Sequence, residues 1–563
     1  MKKHFLNLSK FMYLFSLILI FILSSCGGGG SDSNDKPSWT IMVYMAADND
    51  LSMYTYSDLN EMISSINNDG NVTIIALCDQ DGNSDTNLYK IKYYSTEQLF
   101  DATLGVTSNS SELNMGDPQT LSKFIDFCKN NYPADNYALV LWNHGGGWRN
   151  KMPQKISIQN LDSIKQYIAD KKLKSTTTKS SLSTLLAKKT TLPVKAVCWD
   201  ETDNNDYLTM AEVKQAVSGK GLTLIGFDAC LMGMVEVAYE LKDCAQYMVA
   251  SEETIPGFGW AYDYLLQKFY ASSQSPVDLG KAIIDGYKES YEEHGEDGVT
   301  LSLIDLSKMD ALANAIDTFA SSLQSQADKS IITAARHKTL CFTVPHYIDL
   351  YHFAQNASSF TGASDVMHAV QDAVVYHTYL DDSGEYGFDN SHGLSIYFPV
   401  NKDYDSEYSD YNTSNIDFAQ KSWDEHLANY FVNATKHTIE TFPNGGGSDT
   451  DTYIAVFYYN NGILNYLWED DDNGTTSLYS KINIPLASGS IYYILCLDIW
   501  GDYGYYSILV NQNGGGLSSS TPSSYDVNEP DDNWEQAKQI IYGTVYDYYL
   551  SYKDLDWMYT IIP

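Results

Sequence analysis

The chain has 563 residues, of which 72 are acidic and 35 basic, for a formal charge of −37. Such a length has room for three or four domains of roughly 150 residues and for a sizeable core. The acidic excess would repel a phosphate backbone, which argues against nucleic acid as a partner, and a solubilising surface accounts for it.

Residues 1–25 have the layout of a secretory signal: Lys2, Lys3 and Lys10, then an apolar run over 11–23, then small residues. The apolar run is about 13 residues, short of the ~20 that cross a bilayer. Leu23-Ser24-Ser25-Cys26 resembles the bacterial lipobox, in which the cysteine is diacylated and becomes the new N-terminus. Cys26 is then the lipid anchor, residues 26–37 a flexible tether, and the protein is expected on the periplasmic or extracellular face of a bacterial cell envelope. An ordinary cleaved signal with an incidental cysteine is the alternative. Seven other cysteines remain, without regular spacing, so no disulfide framework is visible and an odd thiol is left over. No zinc motif is present.

From about residue 38 to 440 the pattern is α/β. Apolar runs at 40–45, 72–77, 137–142 and 222–227 are short and nearly continuous, as strands buried on both faces of a parallel sheet should be. Between them, 51–66, 117–130, 232–241 and 278–294 carry apolar residues at helical spacing, and 299–305 and 394–399 read as further strands. A helix-covered, mostly parallel sheet is the expected architecture. After about 441 the texture changes to alternating Tyr, Ile, Leu and Val between Asn and Gly turns, as in short antiparallel strands. A β-sandwich-like domain is expected at 441–515, resembling bacterial pre-peptidase C-terminal domains, with a partial second β-module at 516–563 that opens on Asn528-Glu529-Pro530-Asp531-Asp532.

Two strand ends carry the chemistry. The run at 137–142 leads into Asn143-His144-Gly145-Gly146-Gly147-Trp148, and the run at 222–227 into Asp228-Ala229-Cys230-Leu231-Met232-Gly233. Ligand and catalytic sites of open α/β sheets gather at this carboxyl edge. His144 can take the thiol proton and return it to a leaving amine, while Cys230 attacks a peptide carbonyl to give an acyl-enzyme. The N–H groups of Gly145 and Cys230 can receive the oxyanion. The helix expected over 234–241 would favour the thiolate through its dipole. Singly, each residue has a structural explanation; the pair is more specific.

These residues, with Ile41 to Leu51, Cys198-Trp199-Asp200-Glu201-Thr202, Ser251 to Thr254, Pro256 to Trp260 and Gly393 to Pro399, resemble the clostripain branch of the caspase-like peptidases over roughly 39–399. The resemblance implies a cysteine endopeptidase with His144 as general base and Cys230 as nucleophile, acting on protein or peptide substrates. It further implies Asp228 as the acid of a pocket that takes Arg or Lys. Asp228 could instead cap the following helix, and Glu252, Glu253 or Asp263 could supply the pocket's charge. An inactive binding protein and a transpeptidase on the same fold are the rival functions.

His144 and Cys230 are 86 positions apart, against roughly 50 in caspases. The surplus is an insert at 149–190 with ten basic residues against Asp162 and Asp170. Members of the family are often nicked between histidine and cysteine, so the insert is expected to be an activation loop cut after Lys174, Lys179 or Lys189. A solvated surface insertion is the other reading. The chemistry needs no cofactor. Calcium is admitted as a structural ion, with the acidic run at 200–206 offering oxygen ligands without an EF-hand pattern.

Overall fold

The computed structural model describes residues 38–67, 70–149, 197–382, 384, 386–400, 411, 416–443, 451–460, 463–470, 479–498, 504–512, 537–550 and 556–563. The signal, Cys26 and the tether lie outside the described residues, as do Lys174, Lys179, Lys189 and the motif at 528–532. Residues 38–563 group as one unit.

In chain order the strands are β1 (Trp39–Ala46), β2 (Val72–Asp79), β3 (Asn87–Lys92), β4 (Ser95–Leu99), β5 (Asn136–Trp142), β6 (Val197–Asp200), β7 (Asp206–Leu208), β8 (Leu222–Asp228), β9 (Ala245–Ala250), β10 (Val299–Asp305), β11 (Tyr347–Asp349), β12 (Val374–Leu380) and β13 (Ser395–Tyr397). A nine-stranded sheet runs β12-β10-β9-β8-β5-β1-β2-β3-β4. Its centre, β9 through β2, is parallel, while β10 and β12 on one side and β3 and β4 on the other join antiparallel.

Side chains of β1 alternate between two cores. Met42, Tyr44 and Ala46 enter one, and Trp39, Ile41, Val43 and Met45 the other. Burial on both faces is why the central strands read as unbroken apolar runs rather than as alternation. Helices Thr55–Ser65, Tyr262–Ala271 and Pro276–His294 cover one face, and Pro118–Asn131, Met210–Val217 and Met309–Ser325 the other. Their starts are locally encoded. Asp117 accepts from the Gln119 N–H ahead of Pro118, and Thr209 with Glu212 and Ser275 with Asp278 form capping boxes.

The C-terminal strands are β14 (Lys436–Pro443), β15 (Thr452–Asn460), β16 (Ile463–Asp470), β17 (Lys481–Pro485), β18 (Ile491–Asp498), β19 (Gly504–Gln512), β20 (Lys538–Gln539), β21 (Val545–Leu550) and β22 (Asp556–Ile561). They build two sheets, β17-β14-β19-β21 and β16-β15-β18-β22-β20. This corrects the expectation of a separate module at 516–563: β21 pairs with β19 and β22 with β18, completing both sheets of one sandwich. Strand partners far apart in sequence leave no local signal, so the composition of 516–536 reads as a boundary between modules although the strands on either side of it share the same sheets. His337 Nδ1 meets the Tyr492 hydroxyl at 3.1 Å, and the His346 ring stacks on Trp468 with centroids 5.2 Å apart, so the sandwich packs on the α/β body. Among the described residues no helix is long and apolar enough to cross a membrane.

Candidate active site

Strand register brings the two motifs level. Met45 of β1 is the Cα partner of Trp142 in β5, and Trp142 that of Asp228 in β8. His144 and Cys230 each lie two residues beyond these positions, on loops leaving neighbouring parallel strands, which lie about 4.8 Å apart. The Asn143 N–H donates to the Asp228 carbonyl at 3.2 Å, carrying the ladder into the loops. Gly145 then passes directly over Cys230: a Cβ there would strike the backbone of Cys230 and the Ala229 side chain. Leu231, with φ of 63°, turns the chain away from Cys230 in the left-handed region.

His144 and Cys230 share no hydrogen bond in this structure. His144 Nε2 instead lies 2.6 Å from Asp50 Oδ1, and the Trp199 ring flanks the imidazole at 6.1 Å between centroids. That hydrogen bond holds the Asp50 carboxyl below its usual range. The Cys230 sulfur accepts from the Ile255 N–H at 3.3 Å. Burial pushes its thiol up to about 11, with the charges of Glu253 and Asp228 adding to the rise and the amides of Ile255 and Gly145 opposing it. The expected helix dipole does not act here. The helix is only Val235–Glu240 and starts five residues past Cys230, because the segment between is spent on backbone bonds from Leu231 to Glu253 and from Gly233 to Ser251.

Asp228 is buried at the end of β8. Both its oxygens accept from the Trp260 N–H at 3.1 Å, and Oδ2 accepts from the Tyr262 hydroxyl at 3.0 Å. It therefore caps no part of the following helix. Burial raises its carboxyl to about 7. Two acids that sequence reasoning missed stand beside it. Asp58 accepts from Trp142 Nε1 at 2.6 Å and Glu61 from the Tyr262 N–H at 3.0 Å; burial first, then neighbouring carboxylates, push them up to about 9 and about 7. Helical spacing marks Asp58 as a polar intrusion on the buried face of its helix, the one signal available.

The competing acids have other partners. Glu252 accepts from Ser391 and Gly393, Glu253 from the N–H groups of Thr254 and Thr343, and Asp263 from the Tyr264 N–H. In the run at 200–206, Asp200 points inward, accepting from Met115 at 2.8 Å, whereas Asp206 bonds Asn114 at 2.7 Å. Arg149, expected at the start of the insert, is buried with its guanidinium over the Tyr347 ring.

A thiol and an imidazole at adjacent strand ends, with a glycine amide on the sulfur, can carry acyl transfer. The model of the clostripain family of peptidases matches residues 43–187 and 183–430. The chain belongs to the clostripain family. It is a cysteine endopeptidase. Clostripain of Hathewaya histolytica is 29% identical over 453 residues, which cover 68% of this chain and 78% of that protein. Among solved structures, a secreted C11 cysteine protease from Bacteroides thetaiotaomicron with an irreversible peptide inhibitor is 21% identical, with a TM-score of 0.49 over 69% of this chain and 99% of the other. An inactive zymogen C11 protease from Parabacteroides distasonis is also 21% identical, with a TM-score of 0.47 over 68% of this chain and 98% of the other.

Proposed function

We propose that this clostripain-family peptidase uses a Cys230–His144 dyad to cleave peptide bonds after Arg or Lys. The observation that carries the reading is the register that sets both residues two positions past paired residues of β5 and β8, with Gly145 against the nucleophile's backbone. Asp50 accepts the His144 Nε2 proton, which leaves Nδ1 as the nitrogen that takes the thiol proton. With the free thiol at about 11, that transfer accompanies attack on the substrate rather than preceding it. The oxygen of the attacked carbonyl goes to the N–H groups of Gly145 and Cys230, and His144 then protonates the leaving amine. Asp228 supplies the negative charge for a basic side chain before the scissile bond.

An acyloxymethyl ketone bearing Arg or Lys, followed by mapping of the adduct, tests this reading. Modification at Cys230 that is lost in Cys230→Ala is expected; modification elsewhere defeats the assignment. Acylation at Cys26 ties the same enzyme to a membrane. Fractionation of Cys26→Ser tests the anchor, since continued membrane association of the unacylated protein would show another attachment.

A further inference from the structure

We infer that Tyr291 is a positioning residue for both halves of the reaction: its hydroxyl fixes the turn at 256–259, whose two ends hold the Cys230 sulfur and the Asp228 carboxylate. The inference rests on the reading of Cys230 as nucleophile and Asp228 as pocket acid. Ile255 stands immediately before this turn and donates its N–H to the sulfur at 3.3 Å. Trp260 stands immediately after it and donates its N–H to both Asp228 oxygens at 3.1 Å. The Gly259 N–H closes the turn on the Pro256 carbonyl at 2.9 Å. One short unit therefore sets the spacing between the donor on the nucleophile and the donor on the acid.

Tyr291 reaches this unit from another part of the chain. It lies in the last turn of helix Pro276–His294, where Ile283, Tyr287 and Tyr291 follow at four-residue spacing on one buried face. The Tyr287 and Tyr291 rings pack with centroids 4.5 Å apart, which fixes where the phenol ends. Its hydroxyl donates to the Gly259 carbonyl at 3.2 Å and also reaches the Pro256 carbonyl at 3.4 Å. Burial raises the phenol, so the hydroxyl stays a donor at neutral pH. A buried carbonyl deprived of a donor is costly, and a bare ring at this position would deprive one.

The turn has little freedom on its other sides. Gly259 takes a φ of 62°, and a Cβ there would come within 3.0 Å of Asp228 Oδ1. Gly257 lies against the Tyr54 ring, where a Cβ would stand 2.7 Å from the nearest atom, and the Phe258 ring meets Tyr54 edge-on with centroids 5.9 Å apart. Tyr54 belongs to the segment whose Asp50 meets His144. The turn is thus wedged between Tyr54 and Tyr291, and a displacement at one of its ends reaches the other.

Tyr291→Phe keeps the ring and removes only the hydroxyl. It should lower kcat/KM for an Arg peptide and the preference for Arg over a neutral residue, each by about three- to tenfold, the net worth of one hydrogen bond. Iodoacetamide labelling of Cys230 at pH 9 should slow by a similar factor, because the Ile255 amide favours the thiolate. Gly259→Ala presses on the turn from the Asp228 end and should slow the same labelling at the other end. Tyr376→Phe, which removes a bond to Asp285 on the same helix, should change neither the preference nor the labelling. If Tyr291→Phe only lowers the melting temperature and leaves preference and labelling at wild-type values, the inference alone is overturned, as it is by unchanged labelling in folded Gly259→Ala. A parent protein with no preference for basic residues, or an active Cys230→Ala, removes the reading beneath it and the inference together.

Discussion

Alkylation of Cys230 in the substrate-free enzyme should be slow at neutral pH and should accelerate tenfold per pH unit well beyond pH 9. Burial sets this behaviour: the thiol stands at about 11, and the two amides on the sulfur oppose that displacement without cancelling it. An ordinary thiol near 8.5 is about 3% thiolate at pH 7, whereas one near 11 is about 0.01%, a ratio of roughly 300. Thiolates of higher pKa are intrinsically more nucleophilic, which returns about a factor of ten. The net expectation is a rate about thirtyfold below that of a free thiol at pH 7, before any further loss from restricted access. Iodoacetamide labelling from pH 6 to 10, quantified on the peptide that contains Cys230, measures it, with the unfolded chain as reference. Because His144 makes no hydrogen bond to the sulfur, His144→Ala should leave the pH profile unchanged. A plateau with its midpoint near or below pH 7, abolished in His144→Ala, would mean a resting thiolate–imidazolium pair and would refute the reasoning.

Asp50→Asn removes the charged acceptor at His144 Nε2 and should lower kcat about tenfold with little change in KM, a smaller loss than for a buried triad acid because Asp50 is largely exposed; steady-state kinetics on one peptide reads the split, and an unchanged kcat would remove Asp50 from the mechanism. Asp228→Asn should cut cleavage after Arg and Lys by about ten- to a hundredfold relative to neutral residues, the equivalent of ~1.5–3 kcal/mol for a charge-assisted bond. Since burial raises Asp228 to about 7, its charge is lost below that value, so the preference for basic residues should climb between pH 6 and 8 in the wild type, and a flat ratio would count against its role. N-terminal sequencing of wild type and Cys230→Ala should find cuts after Lys174, Lys179 or Lys189 in the first protein only; cuts in both would assign them to another protease.

The parallel core and the placing of His144 and Cys230 just past neighbouring strand ends were legible because burial on both faces leaves continuous apolar runs, and the chain must leave each run at the edge where sites collect. The runs at 137–142 and 222–227 correspond to β5 and β8 almost to the residue. The edges were not legible. β4, Ser-Thr-Glu-Gln-Leu, is largely exposed and carries neither a continuous nor an alternating apolar pattern. The dipole argument for Cys230 failed for a different reason: the helix expected over 234–241 forms as Val235–Glu240, but long-range backbone bonds to Ser251 and Glu253 take up the segment between it and Cys230. Asp50 lay within a recognised stretch, yet its bond to His144 spans 94 positions, and no periodicity encodes a contact of that kind.

The charge of −37 reads from sequence as a solubilising surface, and the structure divides it differently. Asp58, Glu61 and Asp228 converge on one side of the catalytic loops, linked through Tyr262 and Trp142. Asp48, Asp79, Asp200 and Glu112 converge on the other, linked through Thr202 and the loop that carries Asp50. Uncompensated buried acids destabilise a fold by desolvation and by mutual repulsion, and both terms fall when a cation arrives. On the proposed reading, the Asp228 cluster waits for the basic side chain of a substrate. Asp228 has its oxygens held by an amide and a hydroxyl and so suits a hydrogen-bonding ammonium or guanidinium. A basic side chain paired with Asp228 is thereby held at the end of β8, two residues before Cys230.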